Sequence, residues 1–352
     1  MWSFMSPYIP FTQLQTIVVD FTSHCNSNCG NCSRNIMGAD LNPSMPLQHM
    51  SLDTWKRLMT RETVDQLSEI IFNGAYGDAL MNPNLIPALV HLTENSNNRP
   101  VIRIDTNGGI HDSEYWTKLA EILRLFPEPT HVTFSIDGLE DTNHLYRRGV
   151  NYKRVMENAQ SFIKAGGWAR WRTLIFEHNK HQIDEMRQLS DRMGFLKFDI
   201  NGGSHTSAIK LIVSQAKEYF KESKRGPASE VEYAFLQHEN KIKNQVEKYG
   251  SLDKLWRESD IKCVWQEKRK VQVSHMGEIW PCCYFLNDRY PKDVNSIFWK
   301  DVNSVLIENE EHFNDIHFHS VKEILGHPWF AEKLTNSWSN KRYEICPRHC
   351  SQ

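Results

Sequence analysis

Short runs of β-branched and aromatic residues alternate with longer amphipathic segments between residues 16 and 200. The apolar runs predict β-strands, and the segments between them have the spacing of helices. The six predicted strands are 16–21, 69–72, 101–105, 131–135, 171–177 and 196–200, and the predicted helices begin at Ser51 or span about 84–93, 112–125, 151–165 and 181–193. Because strands and helices alternate, we predict an α/β fold, a partial (β/α)6 TIM-like barrel whose functional site lies at the carboxyl ends of its strands.

The pattern changes after residue 205. Residues 206–260 are rich in Lys, Glu and Gln with helical spacing, which predicts a solvated helical connector. Beyond them, residues 271–273 and 278–280 flank Met276-Gly277 and predict a β-hairpin. We therefore predict three parts: a barrel over 1–205, a connector over 206–260 and a small C-terminal domain over 261–352.

Composition excludes several classes of protein. The chain has 352 residues with 41 Lys and Arg against 43 Asp and Glu, so a net charge of −2 argues against broad nucleic-acid binding. Hydrophobic residues make up 40% of the chain, enough for a core, which argues against disorder. No apolar run approaches the length of a membrane span, and residues 1–10 lack the features of a secretion signal. We expect a cytoplasmic protein without a membrane partner.

Eight cysteines cluster near the two ends of the chain, with none between residues 33 and 262. Such close spacing favours metal–thiolate sites in a reducing compartment over four disulfides. Cys25, Cys29 and Cys32 have gaps of three and then two residues. Three thiolates on a short loop can hold three irons of a [4Fe–4S] cluster and leave the fourth iron open. A structural zinc site would need a fourth ligand nearby.

This loop, directly after the first predicted strand, resembles that of the radical S-adenosylmethionine superfamily. The resemblance implies that the open iron is chelated by the amino and carboxylate groups of S-adenosylmethionine. It further implies reductive cleavage to methionine and a 5′-deoxyadenosyl radical, which abstracts hydrogen from a substrate. Asn31 stands where many members place an aromatic residue beside the adenine, so we expect adenine binding to rely on backbone contacts.

Gly77 and Asp78, after the second predicted strand, are similar to the glycine-glycine-acid motif of the family, which receives the methionine ammonium. Glycine lets the backbone approach a ligand, and a carboxylate complements its positive charge. Here Asp78 replaces the usual Glu, and Ala79 replaces the usual Pro.

The segment from Ser135 to Arg147 is similar to one found in maturase-like members of the family. The resemblance implies that Ser135 contacts the ribose hydroxyls and that Arg147 pairs with the methionine carboxylate, which suits a guanidinium fork. Asn107 and Asn179, at the ends of the third and fifth predicted strands, are weaker candidates for the same pocket; Asn107 also belongs to an Asn-Gly turn dipeptide.

The C-terminal cysteines resemble the twitch form of the SPASM extension, which carries one auxiliary [4Fe–4S] cluster. The resemblance implies four protein ligands, Cys263, Cys282, Cys346 and Cys350. A zinc ion is the alternative, because four thiolates also satisfy zinc and spacing does not identify the metal. Cys283 is left over. A buried structural thiol, a replacement ligand and a hydrogen-atom donor in the substrate pocket are the alternatives for it, and we favour the first.

These features predict a radical enzyme that oxidises or rearranges a peptide or a protein side chain, with a flavodoxin- or ferredoxin-like reductant. The same chemistry on a small metabolite or nucleotide-derived molecule is a second hypothesis. A non-catalytic iron–sulfur or zinc protein is a third. Only about fifteen residues precede the first predicted strand, so we expect no leader-peptide-binding domain in front of it.

Overall fold

The computed structural model describes residues 8–30, 32–36, 38–176, 178–201, 248–293 and 295–351. Most of the predicted connector, up to residue 247, therefore lies outside the described residues, as does Asn31. Among the described residues, no helix is both long and apolar enough to cross a membrane.

Eight strands form one mostly parallel sheet in the order β10-β9-β1-β4-β5-β6-β7-β8, and a two-stranded ribbon pairs β2 with β3. The strands are β1 Thr16–Val19, β2 Asn35–Ile36, β3 Asp40–Leu41, β4 Glu69–Phe72, β5 Val101–Thr106, β6 His131–Ser135, β7 Ala169–Leu174, β8 Lys197–Asn201, β9 Lys270–Val273 and β10 Ile279–Trp280. All six predicted strands are present, and consecutive ones pair in parallel. The predicted α/β partial barrel is confirmed.

Helices connect the strands and continue beyond them. The α-helices span Leu52–Leu58, Arg61–Val64, Leu85–Asn95, Ser113–Leu123, Asn143–Tyr146, Tyr152–Lys164, Ile183–Met193, Leu252–Glu258, Val264–Glu267, Cys283–Asn287, Ile297–Glu308, Val321–Gly326, Leu334–Asn340 and Ile345–Cys350. Short 3₁₀ segments lie at Phe11–Gln13, Ala79–Met81 and Lys180–Gln182, and a π segment spans Trp329–Lys333. Ser51 caps its helix as predicted, because its side chain accepts a hydrogen bond from the Thr54 amide.

Alternation along the inner strands decides which side chains face the helices. On β5 and β7, every second residue is buried, and the residues between them remain partly exposed. The buried face packs aromatic rings, with Trp116 lying 4.9 Å from Phe134 and 5.9 Å from Phe162 between ring centroids. The other face of the same strands carries charged residues, including Arg103, Asp105, Arg170 and Arg172. Successive side chains of a strand point to opposite faces, so β5 and β7 each have one apolar face and one polar face.

The C-terminal hairpin joins the sheet of the barrel. β9 and β10 pair antiparallel as the sequence predicts, and Gly277 adopts a positive φ of 92° in the turn between them. β9 also pairs in parallel with β1, with Thr16 opposite Lys270 and Val19 opposite Val273. The sequence does not predict this second pairing, since it joins segments about 250 residues apart. It places the C-terminal region directly beside the strand that leads into the cysteine loop.

Candidate active site

A cavity of about 260 Å³ opens at the carboxyl ends of the parallel strands. Its lining contains eight of the nine residues that the sequence assigns to the first cluster and to the S-adenosylmethionine pocket: Cys25, Cys29, Cys32, Gly77, Asp78, Asn107, Ser135 and Arg147. The fold brings them together because they follow or end four neighbouring strands of one parallel sheet, β1, β4, β5 and β6, whose carboxyl ends share an edge.

The cysteine loop lies between the end of β1 and the ribbon β2–β3. The Ser27 amide donates to the Cys25 sulfur at 3.4 Å, and the Ser27 hydroxyl lies 3.1 Å from the Cys29 sulfur. Burial raises the pKa of Cys25 to about 12 and also raises the pKa of Cys32. Neutral thiols are therefore favoured in the absence of metal, and iron binding must displace their protons.

The loop after β4 packs directly against the cysteine loop. The Asp78 amide donates to the His24 carbonyl at 2.9 Å. A Cβ atom at Gly77 would lie only 2.2 Å from the Thr22 carbonyl oxygen, so no other residue fits there without movement of the backbone. Beneath the loop, the buried carboxylate of Asp20 accepts from the Ala75 amide at 2.8 Å. The sequence predicts that Gly77 lets the backbone approach a ligand, whereas the structure shows Gly77 packed closely against protein backbone.

Asp78 and Asn107 form one buried hydrogen-bonded unit. The Asp78 Oδ2 atom accepts from the Thr106 hydroxyl at 2.9 Å and from both the amide and the side chain of Asn107 at 2.8 Å. The Asn107 side chain also donates to Asn26 Oδ1 at 2.7 Å and lies 3.7 Å from the Cys25 sulfur. Burial raises the pKa of Asp78. The structure therefore shows Asp78 orienting Asn107 toward the cysteine loop.

Arg147 spans the cavity between β6 and the cysteine loop. Its Nε donates to the Asp137 carboxylate at 2.6 Å, and its Nη1 lies 3.7 Å from the Cys29 sulfur. Burial by itself would lower the pKa of Arg147, but the electrostatic interaction with Asp137, to which it is hydrogen-bonded, raises it. Asp137 is fully buried and also accepts from the Leu174 amide at 2.6 Å. One edge of the guanidinium is thus occupied by the protein.

Asn179 does not line the cavity. Its side chain donates to the carbonyls of Asp137 and Leu174 at 2.8 and 2.7 Å and accepts from the Phe176 amide at 2.7 Å. These bonds close the turn after β7, so Asn179 stabilises that turn and is not part of the cavity lining.

Sequence reasoning missed a charged pair inside the cavity. Arg172 on β7 donates to Asp105 Oδ2 on β5 at 3.1 Å, and both line the cavity. Asp105 Oδ1 is buried and has no hydrogen-bond partner in the described part of the chain. The signal in the sequence was a charged residue at every second position of a strand that is otherwise apolar.

Comparison with known proteins decides the family. Residues 19–190, which contain the cysteine loop and the other cavity residues, match the family described as the Radical SAM superfamily. The chain belongs to the radical SAM superfamily. No curated protein matches the sequence significantly.

Solved structures share the fold of this radical SAM enzyme at low sequence identity. The structure of anSMEcpe with bound AdoMet is 15% identical with a TM-score of 0.54, over 95% of this chain and 85% of that chain. Streptococcus suis SuiB is 14% identical with a TM-score of 0.51, over 95% of this chain and 68% of that chain. SuiB bound to precursor peptide SuiA is 14% identical with a TM-score of 0.48, over 80% of this chain and 61% of that chain.

The four C-terminal cysteines that the sequence groups together also lie together in this radical SAM enzyme. Cys346 and Cys350 are one turn apart on a helix, and Cys263 and Cys282 each precede the first turn of another. The Cys350 thiol interacts electrostatically with the other three. A hydrogen bond with Cys350 lowers the pKa of Cys263 to about 6 and raises the pKa of Cys350, while burial raises the pKa of Cys282 and Cys346.

Cys283 differs from these four. Burial raises its pKa to about 12, and the charges of Lys270 and Asp20 also influence that pKa.

Across the described ranges, no three His, Cys, Asp or Glu side chains are placed to hold a single metal ion. A single zinc ion would require thiolates about 2.3 Å from one point, whereas a cluster separates its thiolates by a core of iron and sulfide.

Proposed function

We propose that this radical SAM enzyme cleaves S-adenosylmethionine at a [4Fe–4S] cluster held by Cys25, Cys29 and Cys32, and abstracts hydrogen from a peptide or protein side chain. The observation that carries the proposal is the convergence of the three thiols and the glycine loop on one cavity. Membership in the superfamily implies both the cluster and the cofactor.

The residues of the cavity fit these groups. Three cysteines provide thiolates for three irons, and the Gly77 loop and the Arg147 side chain provide donors beside them. When bound, the cluster and the cofactor supply the 5′-deoxyadenosyl radical. Asn107 would orient the cysteine loop through Asn26, Ser135 would meet the ribose, and the free edge of Arg147 would receive the methionine carboxylate.

We further propose that Cys263, Cys282, Cys346 and Cys350 hold an auxiliary [4Fe–4S] cluster that accepts an electron from the substrate or anchors it. The interaction of the Cys350 thiol with the other three supports this proposal. A flavodoxin- or ferredoxin-like protein would provide the electron for cleavage of the cofactor.

The peptide substrate is proposed because the fold is shared with anSMEcpe and with SuiB, the latter also solved with its precursor peptide. The polar inner face of the barrel, with Asp105 and Arg172 in the cavity, is compatible with a polar substrate.

The decisive experiment measures 5′-deoxyadenosine after anoxic incubation of reconstituted protein with dithionite and S-adenosylmethionine. We expect cleavage by the wild-type protein and none by Cys29→Ala, because the cluster loses a required ligand. Retained cleavage in the variant would refute the assignment of the first cluster.

The substrate class needs a separate assay, in which peptide and small-molecule fractions of cell extract are added in parallel. We expect the peptide fraction to stimulate 5′-deoxyadenosine formation. Stimulation confined to the small-molecule fraction would refute the peptide proposal and favour the metabolite hypothesis.

A further inference from the structure

A short segment of the C-terminal region, residues 286–292, packs against loops of the candidate active site; we call it the strap. It contacts the barrel at three points. The Tyr76 hydroxyl donates to the Leu286 carbonyl at 2.5 Å, the Asn42 side chain donates to the Tyr290 carbonyl at 2.8 Å, and the Lys292 Nζ donates to the Cys32 carbonyl at 2.7 Å. Two of these contacts end on the loops that line the cavity.

The Tyr76 contact joins the strap to the glycine loop, the loop after β4 that carries Gly77. Tyr76 is fully buried, and its ring lies 5.6 Å from Tyr290 and 6.3 Å from His275 between centroids. Asp20, directly after β1, holds the same loop by accepting hydrogen bonds from the Ala75 and Tyr76 amides. Gln272 on β9 donates to Asp20 at 3.0 Å. The loop that carries Gly77 is thus held between β1 and the strap, with little freedom to move.

The Lys292 contact places a positive charge beside the cysteine loop. Its ammonium is bonded to the carbonyl of Cys32 itself and interacts electrostatically with the Cys32 thiol. Positive charge and hydrogen bonds near a cluster favour its reduced state, because reduction adds negative charge there.

The strap also connects the two groups of cysteines. It begins inside the helix Cys283–Asn287, whose first turn follows Cys282, and it ends at Lys292 against Cys32. Its backbone therefore runs from the C-terminal thiols to the first cysteine loop within ten residues.

We propose that the strap sets the geometry and charge of the S-adenosylmethionine site, with Tyr76 as a positioning residue for the cofactor and Lys292 as a positioning residue for the first cluster. This inference rests on the proposed function, since it assigns both residues to groups that the proposed function places in the cavity.

The test compares Tyr76→Phe and Lys292→Met with wild-type protein, all reconstituted with iron and sulfide. Equilibrium dialysis measures the affinity for S-adenosylmethionine, and a redox titration followed by electron paramagnetic resonance measures the midpoint potential of the first cluster. That cluster is recognised as the signal that changes when S-adenosylmethionine is added. The matched controls are Tyr343→Phe and Lys300→Met. Tyr343 is a second buried tyrosine, whose hydroxyl accepts a hydrogen bond from Trp329, and Lys300 is an exposed lysine.

For Tyr76→Phe we expect affinity for S-adenosylmethionine to weaken about three- to tenfold, because the buried hydrogen bond that joins the glycine loop to the strap is lost. For Lys292→Met we expect a more negative midpoint potential, and Lys292→Arg should restore it toward the wild-type value. Both controls should match the wild-type protein.

If Tyr76→Phe binds S-adenosylmethionine with wild-type affinity and Lys292→Met has the wild-type midpoint potential, the proposed role of the strap is wrong. The proposed function would be unaffected by that result. Wild-type protein that binds no S-adenosylmethionine would overturn the proposed function and this inference with it.

Discussion

At the scale of single residues, the site depends on the close packing of Gly77 and on the burial of Asp20. Gly77 has its backbone against the Thr22 carbonyl, and Asp20 is fully buried beneath the loop that carries it. Sequence reasoning selected Gly77 because of its position after the second strand. It had no means to select Asp20, whose importance comes from accepting the Ala75 and Tyr76 amides of another loop.

The glycine can be tested by Gly77→Ala. We expect a loss of stability of about 1–3 kcal/mol, because the added methyl group overlaps backbone atoms that cannot turn away. The variant should also lose affinity for S-adenosylmethionine in equilibrium dialysis. The control Gly326→Ala places a methyl group where no atom lies within 4 Å and should behave as wild type. Equal behaviour of the two variants would contradict the close packing of the loops.

Asp20 predicts a dependence of stability on pH. Burial raises its pKa to about 7, above the value of an unfolded aspartate, so the folded protein holds the extra proton between pH about 4 and 7. The contribution of Asp20 to the free energy of unfolding therefore falls as pH rises through this window, by at most about 4 kcal/mol. Asp20→Asn removes this pH-dependent contribution. The melting temperature of the variant minus that of wild type should therefore rise from pH 5 to pH 8.

The matched control for this pH series is Asp260→Asn, at an exposed carboxylate. Its difference from wild type should stay constant over the same pH range. A constant difference for Asp20→Asn as well would show that Asp20 is not the titrating group.

At the scale of elements, the sequence pattern located the strands and helices of the barrel to within a few residues. Predicted strand 171–177 is displaced from the observed Ala169–Leu174, because the polar Arg170 and Arg172 face the inner side and obscure the start of the strand. The turn after β5 shows how elements combine to build the site. Asn158, on the helix Tyr152–Lys164, donates to the Gly108 and Ile110 carbonyls at 2.8 and 3.1 Å and so holds the turn that presents Asn107.

Removing this connection with Asn158→Ala should destabilise the protein by about 1–3 kcal/mol, because the buried Gly108 carbonyl loses its donor and the Ile110 carbonyl, which also accepts from the Trp116 indole, loses one of two. Chemical denaturation followed by circular dichroism measures the change. Ser161→Ala on the same helix removes an exposed side-chain bond to Glu157 and should change stability by less than about 0.5 kcal/mol. Similar losses in both variants would point to an effect of the helix as a whole instead of the turn.

At the scale of the whole molecule, the C-terminal region completes the barrel. The sequence predicts three successive parts, with boundaries that stay predictions, and the described residues show that β9 pairs with β1 while the strap reaches the cysteine loop. The N-terminal segment contributes as well, since the Tyr8 hydroxyl donates to the Pro281 carbonyl at 2.6 Å beside Cys282. The two proposed metal sites therefore belong to one packed unit.

Iron analysis tests the two sites together. Two [4Fe–4S] clusters predict about eight irons per wild-type chain, and Cys346→Ala should reduce this to about four. We expect the variant to bind S-adenosylmethionine but to lose turnover of the true substrate, because the first cluster keeps its ligands. About four irons with one zinc in the wild-type protein would contradict the auxiliary cluster.

Local sequence accounts for the alternating strands and helices, the cysteine loop after β1 and the residues that follow each strand, because hydrophobic period and ligand spacing are local properties of a chain. Parallel sheet geometry then carried those residues to one edge. The tertiary structure alone decided that Asp78 orients Asn107, that Asp137 occupies one edge of Arg147, that Asp105 and Arg172 meet in the cavity, and that residues 286–292 fasten the site. Except for the Asp137–Arg147 pair, whose members are ten residues apart in the chain, each of these contacts joins segments whose relation depends on strand order and chain crossing, which no local pattern encodes.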